Sequence, residues 1–137
     1  MKLENASAAQ AVDCAILCSL VEQEDEVIFA YLFGSRASGD ASALSDVDIA
    51  VYLVDSGVLR CHELKIDLYT SLSRGMGTND IDIVVLNTTS NLVLLDEIIR
   101  SGLVLVDRNP DLRDEFEQRV LHRAIDFLTQ RKAFVGV

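Results

Sequence analysis

The chain has 137 residues, half of them apolar, with 22 acidic against 12 basic side chains and a formal charge of −10. Such a length predicts one domain spanning 1–137, and the apolar fraction supports a packed core and excludes a disordered chain. The acidic balance, with no Lys/Arg cluster to offset it, disfavours nucleic acid as a direct substrate.

The N-terminal MKLENASAAQ lacks the apolar centre of a signal peptide. No later run reaches the ~20 apolar residues that span a bilayer, so a cytoplasmic chain with no membrane partner is expected. Residues 6–24 fit a helix with an apolar stripe of Ala8, Ala11, Val12, Ala15, Ile16 and Leu20. Cys14 and Cys18 lie on it four apart, where cysteine acts as a small hydrophobe; with Cys61 they complete no tetrahedral metal set. After an acidic turn, VIFAYLF (27–33) is continuously apolar, as a central strand is.

Gly34 and Ser35 follow, then ten residues, then a strand over 46–54. Alternation puts Asp46, Asp48, Ala50 and Tyr52 on one face and Val47, Ile49, Val51 and Leu53 on the other. A helix over 58–74 carries Cys61, Leu64, Leu68 and Leu72 at helical spacing, with Gly75-Met76-Gly77 as its stop. NDIDIVVL (79–86) predicts a third strand. Beyond it lie a helix over 91–101, with Leu92, Leu95, Ile98 and Ile99 inward, and a short edge strand over 103–106. A long helix from Pro110 to about Lys132 presents Leu112, Phe116, Val120, Ala124, Phe127 and Leu128 on one stripe. The order predicts an α/β (α+β) fold with a mixed β-sheet of three to four strands flanked by helices.

The chemistry sits in the aspartates. Asp46 and Asp48, two apart on a strand, project like charges into one volume, which calls for a cation between them. Asp82, between Ile81 and Ile83, opposes both strand propensity and burial and is the third candidate ligand. Asp80 shares its face but stands where the strand starts, as a turn or cap residue would. Gly34 permits close backbone approach, and Ser35 offers a hydroxyl and an N–H, together a phosphate cradle. Three carboxylates from two strands suit a two-magnesium site for in-line displacement at phosphorus. His62 and His122 find no partner ligand at useful spacing and are expected to face solvent or to be partly packed. Tyr31, Tyr52 and Tyr69 are expected in the core or a pocket wall.

Gly34-Ser35, ten residues, Asp46-x-Asp48 and a later Asp82 in an apolar strand resemble the DNA polymerase β-like nucleotidyltransferase superfamily. The segments LFGSRASGD, SDVDIAV, IDIVVLN and LLDEIIRSGLVLVDR resemble, within it, the minimal nucleotidyltransferases: the MntA-type antitoxins of HEPN–MNT toxin–antitoxin pairs. The resemblance implies that Asp46 and Asp48 bind two Mg2+ ions, and that Asp82 binds the catalytic one and helps activate the acceptor oxygen. It also implies that Gly34 and Ser35 hold the β/γ-phosphates of ATP, with Arg36 as a neutralising contact. Where many members carry a second arginine in that loop, this chain has Ser38. AMP transfer to a tyrosine of a cognate HEPN ribonuclease toxin is the implied reaction, as in type VII-like pairs. Two rivals remain at this stage: a nucleotidyltransferase for a small aminoglycoside-like molecule, and a non-catalytic antitoxin that neutralises by occlusion. The first predicts a pocket completed by dimerisation; the second predicts protection that survives Asp46→Asn with Asp48→Asn.

Overall fold

The computed structural model describes residues 8–34 and 47–134, with side chains over 14–34 and 47–130. In chain order the elements are α1 (Ala8–Glu22), β1 (Val27–Phe33), β2 (Val47–Leu53), α2 (Val58–Met76), β3 (Ile81–Val85), α3 (Leu92–Ser101), β4 (Leu103–Asp107) and α4 (Pro110–Phe134). The strands form one mixed sheet in the order β3-β2-β1-β4. β1 runs antiparallel to both β2 and β4, whereas β2 and β3 are parallel, joined through α2. The expected mixed sheet of three to four strands is therefore a sheet of four, and the 103–106 segment is indeed an edge strand.

Strand alternation sorts the core into two layers. Val47, Ile49, Val51, Ile81, Ile83 and Val85 face α1 and α2, meeting Cys14, Leu17 and Val21 from the first helix and Cys61, Leu64, Leu68 and Leu72 from the second. Phe29, Tyr31, Phe33 and Ala50 face α3 and α4, meeting Leu95, Ile98, Phe116 and Val120. A register shift between Val27 and Phe29 lets the first strand change faces without breaking the sheet. On the second face Phe29 stacks on Tyr52 with centroids 4.8 Å apart, and Phe116 closes over both rings.

Three helix expectations need correction. Over the described side chains of α1 the buried stripe is Cys14, Leu17 and Val21, with Leu20 half-buried and Ile16 40% exposed; the Ala8, Ala11 and Val12 side chains lie outside them. The helix is apolar nearly all round, so the partner helix rather than the period selects its inner face. Phe127 and Leu128 on α4 are exposed, because the last turns of that helix run beyond the layer that Phe116, Val120 and Ala124 bury. α2 passes through Gly75 and ends at Met76; Gly77, at φ +70°, is the C-cap and donates its N–H to Ser73 O at 3.0 Å. A methyl group at Gly75 would collide with the Leu20 side chain, so this glycine serves close α1–α2 packing. The third strand starts at Ile81 rather than 79, since Asp80 still lies in the turn, its N–H held by Thr78 Oγ1.

Polar side chains pin the ends of these elements. Arg108, just after β4, donates to the carbonyls of Glu22, Glu24 and Val27, capping the C-terminal end of α1 with a cation. Asn87 continues the β3 ladder by side chain: its Oδ1 accepts from Leu53 N–H at 2.8 Å and its Nδ2 donates to Leu53 O at 2.9 Å. Tyr31 donates its phenol to Glu117 at 2.6 Å; Arg113 bridges Glu117 and Asp107 at 2.9 and 2.8 Å, tying α4 to β1 and β4. Burial and the Glu117 hydrogen bond hold the Tyr31 phenol well above its ordinary pKa.

Candidate active site

Two aspartates stand at one end of the second sheet face. Asp48 is the second residue of β2 and Asp82 the second of β3, and the parallel register sets them directly opposite each other. Partners in a parallel register point to the same side, so the two side chains share the face that carries Ala50, Tyr52 and Val84. Among the described residues Asp48 is half-buried and Asp82 exposed, whereas Val47, Ile49, Ile81 and Ile83 on the opposite face are buried. Two carboxylates on adjacent strands would repel each other in a closed pocket. A hard cation with its phosphate ligands would neutralise such a pair.

Gly34 forms the roof of this corner. β1 ends at Phe33, which is the register partner of Asp48, so the next residue turns directly over that carboxylate. Gly34 adopts φ +76°, a left-handed conformation that side-chain-bearing residues adopt only under strain. A methyl group there would also overlap Asp48 Oδ2. Both demands select glycine, and both arise from bringing backbone close to the carboxylate.

Asp48, Asp82 and Gly34 are thus brought together as the spacing requires. Asp46, Ser35 and Arg36 lie outside the described residues, as do Ser38 and Asp40 of the same loop. Among the described residues no three His, Cys, Asp or Glu side chains converge as a metal set. The two side chains that the register sets opposite each other are both carboxylates, a chemistry that fits magnesium.

A groove runs away from Asp82 along β3. It has a volume of about 420 Å³ and lies between α2, which contributes Cys61, His62 and Lys65, and residues 88–94. His62 is exposed, as expected, yet it lines this groove beside Asp82, a placement not among the expectations above. The signal was its position one residue from buried Cys61, with Lys65 beside buried Leu64, which puts both on the flank of α2. Tyr31 is a core residue and Tyr52 half-buried; Tyr69 is partly exposed and donates its hydroxyl to Asn79 O. His122 faces solvent. Among the described residues no helix is long and apolar enough to cross a membrane.

The chain is similar to known proteins in sequence and in fold. Over 97 residues the chain is 37% identical to the protein adenylyltransferase MntA of Aphanizomenon flos-aquae, a match covering 66% of this chain and 63% of that relative's length. A chain in the crystal structure of a toxin–antitoxin with AMP-PNP superimposes with a TM-score of 0.73 at 22% identity, covering 90% of this chain and 95% of that one. A chain in the structure of a tri-AMPylated Shewanella oneidensis HEPN toxin in complex with its MNT antitoxin gives 0.67 at 21% identity, covering 93% and 96%. These two likenesses establish the fold. Residues 16–111 match the family described as polymerase beta, nucleotidyltransferase, and they include the Gly34 turn, Asp48 and Asp82. The chain belongs to the polymerase beta nucleotidyltransferase family.

Proposed function

We propose that this chain is an Mg-ATP-dependent protein adenylyltransferase that transfers AMP to a tyrosine of a cognate HEPN ribonuclease toxin and thereby acts as its antitoxin. The observation that carries the reading is the register that pairs Asp48 with Asp82 beneath the Gly34 turn. The 37% identity to a protein adenylyltransferase supports the reaction class, and the neighbours named as toxin–antitoxin complexes support the partner. An open sheet end supports a macromolecular acceptor, because the described residues form no closed pocket for a small one over the two carboxylates. The 137 residues act as one domain in the cytoplasm.

In this reading Asp46, Asp48 and Asp82 hold two magnesium ions, which supply charge neutralisation to the triphosphate of ATP when bound. Gly34 and Ser35 present backbone N–H groups and a hydroxyl to the β/γ-phosphates, and Arg36 adds a cation. Asp82, the more exposed carboxylate, orients the tyrosine hydroxyl and takes its proton. The phenolic oxygen then bonds to the α-phosphorus as the bond to the bridging oxygen breaks, and pyrophosphate leaves. Positioning and electrostatics carry most of the rate enhancement.

The test is to incubate the purified chain with the product of its neighbouring reading frame and Mg-ATP, then weigh the neighbour by intact mass spectrometry. Gain of one or more AMP masses, absent with Asp48→Asn, is expected. An unmodified neighbour, with Mg-ATP bound normally to the chain, would overturn the protein-acceptor reading.

A further inference from the structure

Backbone groups on β3 alternate in direction. Val47 N–H donates to Asp80 O, and Leu86 N–H donates to Val51 O, each at 2.8 Å. In a parallel ladder this turns the even-numbered residues toward β2 and aims the N–H and C=O of Ile81, Ile83 and Val85 at the open edge. Asn79 O accepts from Ile81 N–H, and Val85 O accepts from Thr88 N–H. Both backbone groups of Ile83, the carbonyl of Ile81 and the N–H of Val85 find no hydrogen-bond partner among the described residues. Such a row is a template for one more strand.

The edge is also recessed. The groove of about 420 Å³ has β3 as its floor, and a second hollow of about 200 Å³ continues it past Lys65 to Tyr69 and Ile81. His62, Lys65, Asp82 and Ile83 line both. Val58 and Ile66, 78% and 52% exposed, leave apolar surface along the α2 rim.

We propose that this groove binds an extended segment of the protein acceptor as a fifth strand on β3 and so delivers the acceptor hydroxyl to Asp82. The inference rests on the adenylyltransferase reading and adds what the acceptor must look like. A residue paired with Asp82 points to the same face of the sheet, so it is the one whose hydroxyl meets the carboxylate. Its immediate neighbours point to the α2 side, against Lys65 and His62, and are acidic. Two positions along, beside Val84, the next side chain lies against Leu94 and is apolar. Lys65, a cation lining both hollows on a chain of charge −10, is the charge complement of an acidic segment. A second copy of this chain does not suit the edge. Two edges that are each sunk between helices cannot approach to hydrogen-bonding distance, and pairing would set Lys65 walls against each other.

The experiment titrates three fluorescein-labelled decapeptides into the full chain. Each carries one tyrosine with leucine two positions away on either side, and flanks the tyrosine with glutamate, alanine or lysine. The glutamate peptide should bind about tenfold more tightly than the alanine one, and the lysine peptide most weakly. Hydrogen exchange at the Ile83 and Val85 amides should slow on binding. Lys65→Glu, on the exposed flank of α2, should invert the order so that the lysine peptide binds best, an outcome that misfolding cannot produce. An unchanged order in Lys65→Glu, or protection elsewhere, overturns the inference. Absence of peptide binding while the neighbouring protein still gains AMP overturns the groove and leaves the function standing. Peptide binding with the predicted protection, but no AMP transfer to any protein, supports the strand site and removes the function. Edge protection that rises with chain concentration alone would assign β3 to a second copy and overturn the proposal.

Discussion

The two faces of the sheet are built to different ends. The face toward α1 and α2 is sealed along the described length of β2 and β3, with Val47, Ile49, Val51, Ile81, Ile83 and Val85 all buried. The face toward α3 and α4 is sealed around Phe29, Tyr31 and Ala50, and among the described residues it is less buried where Asp48 and Asp82 stand. β2 and β3 therefore each do both jobs: their odd residues fix the fold, and among their even residues Asp48 and Asp82 supply the paired carboxylates. The lesson is that the fold and the reaction should be separable by mutation, one face at a time.

Asp82→Asn should cut AMP transfer by about 1000-fold, equivalent to roughly 4 kcal/mol of transition-state stabilisation, with little change in melting temperature because the side chain is exposed. Single-turnover rates beside a thermal melt would check both halves. Leu72→Ala, on the sealed side, should do the reverse, costing about 3 kcal/mol of stability while turnover per folded molecule stays near wild type. A loss of turnover as large as that of Asp82→Asn would break the separation. Gly34→Ala sits where the faces meet the turn. It should cost about 1–2 kcal/mol in backbone strain and about tenfold in rate, as the turn lifts off Asp48. Tyr31→Phe is the mildest. The folded pKa of this phenol is raised, so its contribution is complete below the unfolded value of about 10 and is lost as pH climbs above it. Denaturant melts between pH 8 and 11 should show a flatter alkaline decline in Tyr31→Phe than in the wild type.

Much of this was legible in the residues, for physical reasons. The stripe Cys61, Leu64, Leu68, Leu72 could be read because polar residues surround it on α2, and the faces of β2 could be read because alternation leaves only two choices. α1 could not be read this way, since Ala15 and Ile16 look as buriable as Leu17; only the packing of α2, with Gly75 against Leu20, decides. The Asp48–Asp82 pairing was expected from two strands holding aspartates, but their register is a tertiary fact. The Asn87 clamp and the Arg108 cap on α1 join residues 34 and 84 apart in sequence, and the β3 groove sets α2 beside β3; no local pattern announces them. Asp46, Ser35 and Arg36 remain proposals argued from spacing and resemblance.

The central claim is that Asp48 and Asp82 grip divalent ions beneath a nucleotide triphosphate, and calorimetry of ATP binding tests it most directly. Titrations of the full chain with and without magnesium should show uptake only with the metal, and uptake abolished by Asp48→Asn with Asp82→Asn in a protein that still melts cooperatively. Magnesium-independent binding, or undiminished binding by the doubly substituted chain, would contradict it.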